Sequence, residues 1–227
     1  MRQLINTSIF IISLFLAGCS KNSSSLSQTF ELAFFGPESQ NITAEKIKEL
    51  PYASLFVNQN NNPNALLVLA WAENSDNYQQ SPIALKWLSA NKELVVTQAG
   101  RVTKTVNLGG GNITRVTSKS TDPLALNLLL PATPKTWTYT LSWQPGQHNR
   151  YVAHSQFKIT GHTSLALTLG EQQVTTVTEQ VTIKDLNRTY ENYYWLSDKD
   201  GHVVKSVQTL APNLSTLTLT EAKPFEE

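Results

Sequence analysis

From Thr136 to Trp143 the chain reads Thr-Trp-Thr-Tyr-Thr-Leu-Ser-Trp, so every second residue is large and apolar and every other one is a small hydroxyl. A period of two belongs to a strand with one buried and one wet face. A helix would spread both kinds of residue around its circumference. The pattern recurs where Leu165, Leu167 and Leu169 alternate with Ala166 and Thr168, and more briefly at Val181 and Ile183. Leu85–Leu88, Glu93–Thr97 and Val102–Leu108, separated by Ala90-Asn91 and Ala99-Gly100, read as a three-strand meander. Near the end, Tyr193–Leu196 and Val203–Val207 flank Asp198-Lys199-Asp200-Gly201, a hairpin whose glycine supplies a positive φ. The expected fold is all-β and mainly antiparallel. A sheet with this many strands must manage its edges, by closing into a barrel or folding onto itself as a sandwich.

Helix is confined to short pieces. Thr43 precedes Ala44–Leu50, with Glu45 in the first turn, Ile47 and Leu50 on one face and Pro51 as the stop. Within residues 29–35 the alternation of Phe30, Leu32 and Phe34 fits a strand and the spacing of Phe30, Ala33 and Phe34 fits a helix; the helix is the favoured reading, which gives one or two short N-terminal helices in all. Asp122-Pro123-Leu124-Ala125 can open another short turn. Beyond it Pro131 and Pro134 break regular structure, and a boundary near 130–135 allows a division into two lobes.

The start of the chain carries a different signal. Arg2, an apolar run through Leu16 and the small pair Ala17-Gly18 stand before Cys19, the single cysteine of the 227 residues. These are the three parts of a secretory leader, with an acylatable thiol placed after the cut. Residues 1–18 are expected to be removed, which leaves Cys19 as the lipid-bearing first residue. The apolar run is shorter than the ~20 residues that span a bilayer. The expected anchor is therefore lipid. Ser20 in place of Asp favours the outer membrane over inner-membrane retention, with the protein facing the periplasm. Residues 19–28 are polar and aperiodic, as in a tether, and residues 29–227 form the β-rich domain.

Composition narrows the function. There are 18 basic and 17 acidic side chains, and no basic stripe to steer the chain to nucleic acid. With Cys19 lipidated, no thiol remains for a disulfide or a nucleophile. His148, His154, His162 and His202 lack the close spacings that put two imidazoles on one metal, so neither metal nor cofactor is expected. Gly109-Gly110-Gly111-Asn112 lacks the Lys-Ser/Thr of a phosphate loop. No Gly-x-Ser-x-Gly elbow is present. No catalytic residue is assigned, although paired carboxylates distant in sequence could still meet in space. Of the five tryptophans, Trp137 and Trp143 share the apolar face of one strand and belong to a core. Trp195 lies in an aromatic run that must occupy both strand faces, and it is expected to be exposed.

Several segments together carry a resemblance. They are Thr43-x-x-x-Ile47 leading into Pro51-Tyr52-Ala53-Ser54, Ala65–Leu69, Leu85–Ala90 and Gly100-Arg101-Val102-x-Lys104-Thr105. Asp122-Pro123-Leu124, Trp143-Gln144-Pro145-Gly146, Asn192–Trp195, Gly201 and Lys205–Gln208 follow in order. This ordered set resembles the YjbF and GfcB lipoproteins, associated with exopolysaccharide and group 4 capsule production. Gln147–Arg150 supplies fewer aromatics than that pattern implies.

The resemblance implies a mostly β, periplasm-facing outer-membrane lipoprotein encoded beside polysaccharide assembly or export genes. Its implied partners are an outer-membrane protein and a periplasmic protein of the same locus, and the polysaccharide itself. The expected role is non-catalytic and accessory, with Cys19 as the lipidation site and Trp195, Tyr194, His148 and Arg150 as candidate glycan or partner contacts. The alternatives are a polysaccharide-modifying enzyme using paired carboxylates and a carrier of lipid or lipid-linked sugar. Convergent perturbed carboxylates would favour the enzyme, and a closed apolar cavity would favour the carrier.

Overall fold

Alternating side chains turn most of the chain into one sheet. The computed structural model describes residues 42–62, 64–74 and 82–226. The leader, Cys19, the tether and the helix expected within residues 29–35 lie outside them.

The strands are β1 (Ser54–Gln59), β2 (Ala65–Glu73), β3 (Ala84–Leu88), β4 (Leu94–Gln98), β5 (Arg101–Val106) and β6 (Asn112–Thr117). They continue as β7 (Thr136–Gln144), β8 (His148–Leu167), β9 (Gly170–Ile183), β10 (Arg188–Ser197), β11 (Val203–Thr209) and β12 (Thr216–Lys223). All pair antiparallel in one 12-stranded sheet of order β5-β4-β3-β2-β1-β12-β11-β10-β9-β8-β7-β6. Each strand therefore lies beside its neighbours in sequence, and β1 pairs with β12, Val57 opposite Leu219. The result is a nearly closed barrel, which decides between the barrel and sandwich expected from the sequence.

The two ends of the sheet, β5 and β6, meet at a seam bridged by side chains. The Asn112 Oδ1 accepts from the Leu108 N–H and the Thr105 hydroxyl, both at 3.1 Å. The Ile113 N–H donates to Thr105 Oγ1 at 3.1 Å. From the opposite wall Gln208 reaches across the interior, its Oε1 accepting the Val102 N–H at 3.0 Å. Backbone groups without a ladder partner are thus satisfied, which an unpaired buried edge requires. Gly111 follows the seam with φ +128°, and a Cβ there would stand 2.5 Å from the Gln144 carbonyl oxygen. Only glycine fits that approach.

The core fills the barrel. On β7, Trp137, Tyr139, Leu141 and Trp143 point inward at 7% exposure or less, as their alternation predicts. Val177, Val181, Leu196, Leu217 and Leu219 complete the opposite wall. A second, small cluster lies outside. The helix α1 (Ala44–Glu49), with Thr43 capping the Lys46 N–H, sets Ile47 and Leu50 against Leu66 and Ala222 on the outer face of β2 and β12.

The break at 130–135 does not separate lobes. It belongs to the β6–β7 connection, and those strands pair with each other, Val116 opposite Leu141. This connection folds onto the barrel. Pro123–Leu126 forms a 3₁₀ turn capped by Asp122, and Leu128 is fully buried. The Thr133 hydroxyl donates to the Leu126 and Asn127 carbonyls, each at 2.8 Å, and the Lys135 ammonium to the Leu128 carbonyl.

Candidate functional site

Three places concentrate polar or aromatic chemistry. The first is sealed. Arg101 at the start of β5, Asp122 in the β6–β7 connection and Glu179 on β9 are 4%, 9% and 0% exposed. The Arg101 guanidinium bonds Asp122 through Nε, and Glu179 at 2.9–3.0 Å. It lies 4.8 Å from the ring centre of Trp137 and 5.8 Å from that of Tyr194. Glu179 also accepts from Asn192 Nδ2 and the Tyr194 hydroxyl, both at 2.9 Å, and from Ser155. Burial alone would raise the Glu179 carboxyl, but Arg101 and these donors outweigh it and hold the group below its ordinary range. Burial pushes the Tyr194 phenol well up. These groups satisfy one another's charges and hydrogen bonds, as buried charge requires. The network ties the β6–β7 connection to the barrel wall.

The second place is a cleft of about 920 Å³ at one end of the barrel. Leu55, Leu85, Trp87, Leu124 and Leu219 contribute apolar lining, while Asp198, Lys199, Asp200, His202, Glu221 and Lys223 bring charge. The β10–β11 turn presents most of this charge, because Gly201 takes φ +79°, the positive value expected of the hairpin. His202 Nδ1 lies 2.6 Å from Asp200 Oδ1 and Nε2 lies 3.5 Å from Glu221 Oε2. Hydrogen bonding to Glu221, opposed by partial burial and joined by Asp200, lifts the imidazole from 6.5 to about 9. Asp200 is pushed up by burial but pulled further down by His202. Nearby, the Lys223 ammonium donates to the Lys48 carbonyl at 3.0 Å and to that of Leu50. The Thr175 hydroxyl donates to Asp198 at 2.6 Å. The carboxylates thus converge on a cation. A glycosidase acid needs the opposite arrangement, a carboxyl kept protonated. The cleft is also open, unlike the closed cavity a lipid carrier would use. Among the described residues no group of three or more His, Cys, Asp and Glu side chains is placed to hold a metal ion.

The third place holds the candidate contacts, and the structure disperses them. Tyr194 is 0% exposed and points into the barrel, so it offers no surface to a glycan or partner. Successive strand residues face opposite ways, so Trp195 and Tyr194 cannot share a face. Trp195 points outward, half-buried, with the Lys205 ammonium 5.0 Å from its ring centre. Tyr193, overlooked by the sequence reading, is 41% exposed on that outer face. The alternation could have identified it. His148 stacks on Trp143 with centroids 4.4 Å apart and planes 7° from parallel, beside exposed Arg150 at the β7–β8 turn. Register separates this pair from Trp195, which aligns through Thr176 with Gly161 of β8. At ~3.3 Å per residue, His148 lies roughly 40 Å back along the same strand.

The fold and its charged mouth define the class: a single antiparallel β-barrel, nearly closed, with an open cleft at one end and its ionic core sealed inside. Residues 27–221 match the family described as "Group 4 capsule polysaccharide lipoprotein gfcB, YjbF", and the chain belongs to it. It is 30% identical over 225 residues to the uncharacterized lipoprotein GfcB of Escherichia coli K12, covering 99% of both chains. It is equally 30% identical over 223 residues to the uncharacterized lipoprotein YjbF of the same organism, covering 96% of this chain and 98% of that one. The crystal structure of the hypothetical lipoprotein YmcC from E. coli K12 superposes with a TM-score of 0.71 at 27% identity, covering 84% of this chain and 92% of that one. The protein is therefore a membrane-anchored lipoprotein of a capsule-polysaccharide family.

Proposed function

We propose that this lipoprotein, acylated at Cys19 and held on the periplasmic side of the outer membrane, is a non-catalytic accessory of capsule or exopolysaccharide assembly and secretion. Family membership supports the polysaccharide context. The observation that carries the docking role is the barrel-mouth cleft, where the Asp200–His202–Glu221 cluster satisfies its own charges. Such a mouth is pre-formed for recognition, because its ions need no rearrangement to be paired. Its occupant is a partner protein or the glycan. Acyl chains at Cys19 would confine the mouth near the membrane and raise its effective concentration for an outer-membrane partner.

Deleting the gene is expected to lower or alter surface polysaccharide. Restoring the wild type should recover it, whereas Cys19→Ser or the His202→Ala, Glu221→Gln double variant should not. The purified protein should leave the polysaccharide unshortened and unmodified. Turnover of the polysaccharide would favour the enzyme reading, and full output from the unanchored form would refute membrane-confined docking.

A further inference from the structure

The register places Tyr193 and Trp195 in a wider pattern on the outside of the barrel. One outward row runs Thr220, Lys205, Trp195, Thr176 and Gly161 across β12 to β8. The next runs Thr218, Val207, Tyr193, Thr178 and Lys158 across the same strands. The two rings are thus neighbours on one face, about 6.7 Å apart along the strand. Thr176 and Thr178 flank them on the β9 side, while on the β11 side Val207 lies beside Tyr193 and the Lys205 ammonium sits 5.0 Å from the ring centre of half-buried Trp195, so Tyr193 is the more exposed of the two rings. Helix α1 covers the sheet only as far as Phe56 of β1 and Ala222 of β12, and no described element covers the rows beyond.

From this face we infer that the outer surface of β9–β11 is a binding strip for an anionic polysaccharide chain. Aromatic faces offer stacking area to the C–H faces of sugar rings, and threonine hydroxyls can donate to and accept from sugar hydroxyls. Lys205 and Lys158 stand in the two rows, and no acid does. The nearest outward acid on β10, Glu191, accepts the Tyr193 hydroxyl at 2.7 Å. Lys205 also lines the barrel-mouth cleft, so a chain lying on the strip would run to the rim of that cleft. The choice of a glycan rests on the polysaccharide role proposed above, while the strip is a different surface from the cleft.

The test is affinity electrophoresis of the full lipidated protein in detergent through gels containing polygalacturonate, with neutral dextran as control. Polygalacturonate is expected to retard the wild type and dextran is not. Trp195→Ala and Tyr193→Ser should each weaken retardation about tenfold, equivalent to ~1.4 kcal/mol. Lys205→Gln should weaken it and flatten its salt dependence. Trp71→Ala removes an indole that is 43% exposed on another strand, and it should change nothing. If Trp195→Ala lowers the melting temperature, Tyr193→Ser decides, because its ring is already in solvent. Absence of retardation in wild type, equal binding to dextran, or an equal loss in Trp71→Ala overturns the strip. So does a photo-crosslinker at position 193 that captures protein in cells and no polysaccharide. The His202→Ala, Glu221→Gln variant should still bind polygalacturonate, so a failed cleft and a failed strip give different results.

Discussion

Arg101 is the most consequential single residue. A buried guanidinium survives only when partners replace its water, and here two carboxylates and four aromatic rings do so. Arg101→Met would leave Asp122 and Glu179 buried without a cation. The expected cost is about 3–5 kcal/mol in urea denaturation at neutral pH. That cost should shrink as pH is lowered, because the orphaned carboxyls can take up protons. His202 makes the opposite use of charge. Its folded value of about 9 exceeds the ordinary 6.5, so its contribution to stability is complete below 6.5 and is lost as pH rises through about 9. Denaturation midpoints of the wild type should fall across that interval, and His202→Gln should remove that part of the fall.

The elements differ in how readily sequence reveals them. Strand alternation located β7 from Thr136, the β3–β5 meander and the turn-facing ends of the β10–β11 hairpin to within a residue or two, because one face of each is buried, whereas β10 starts at Arg188, well before the Tyr193 run. The same rule, applied strictly, would have turned Tyr194 inward and Tyr193 outward. The pairing of Arg101 with Glu179 was illegible: 78 positions separate them, and a lone arginine beside a turn reads as solvated. Nor did any local pattern announce that β1 would pair with β12, since Leu55–Val57 is too short to show a partner. The length of β8 was missed as well, its polar stretch at Lys158–Ser164 hiding a continuous strand. That stretch makes an element-scale prediction. Beyond Phe157, β8 pairs with β9 only, and its residues are largely exposed on both faces. Amides at 162–170 should therefore exchange with solvent orders of magnitude faster than those at 177–181, which pair with β8 and β10 and face the core. Uniform protection along the hairpin would contradict this.

At the scale of the whole molecule, the barrel gives each surface a separate task. Its interior is saturated by apolar packing and one ionic network. In the proposal above, recognition falls to the mouth and the outer wall, and anchoring to Cys19. The strand order has one more consequence, because it is a ring with a single weak joint. That joint lies between β5 and β6, in mid-chain, whereas the first and last strands are fully laddered together. The backbone is therefore interchangeable with a rotated version of itself. A circular permutant opened at Gly110, with a flexible linker joining residue 226 back to residue 42, should keep every strand pairing and show the wild-type far-ultraviolet circular dichroism. In such a permutant the Thr105–Asn112 bridge would become a contact between the two chain ends, turning the one place where the barrel is open into the place where it can be fastened or released.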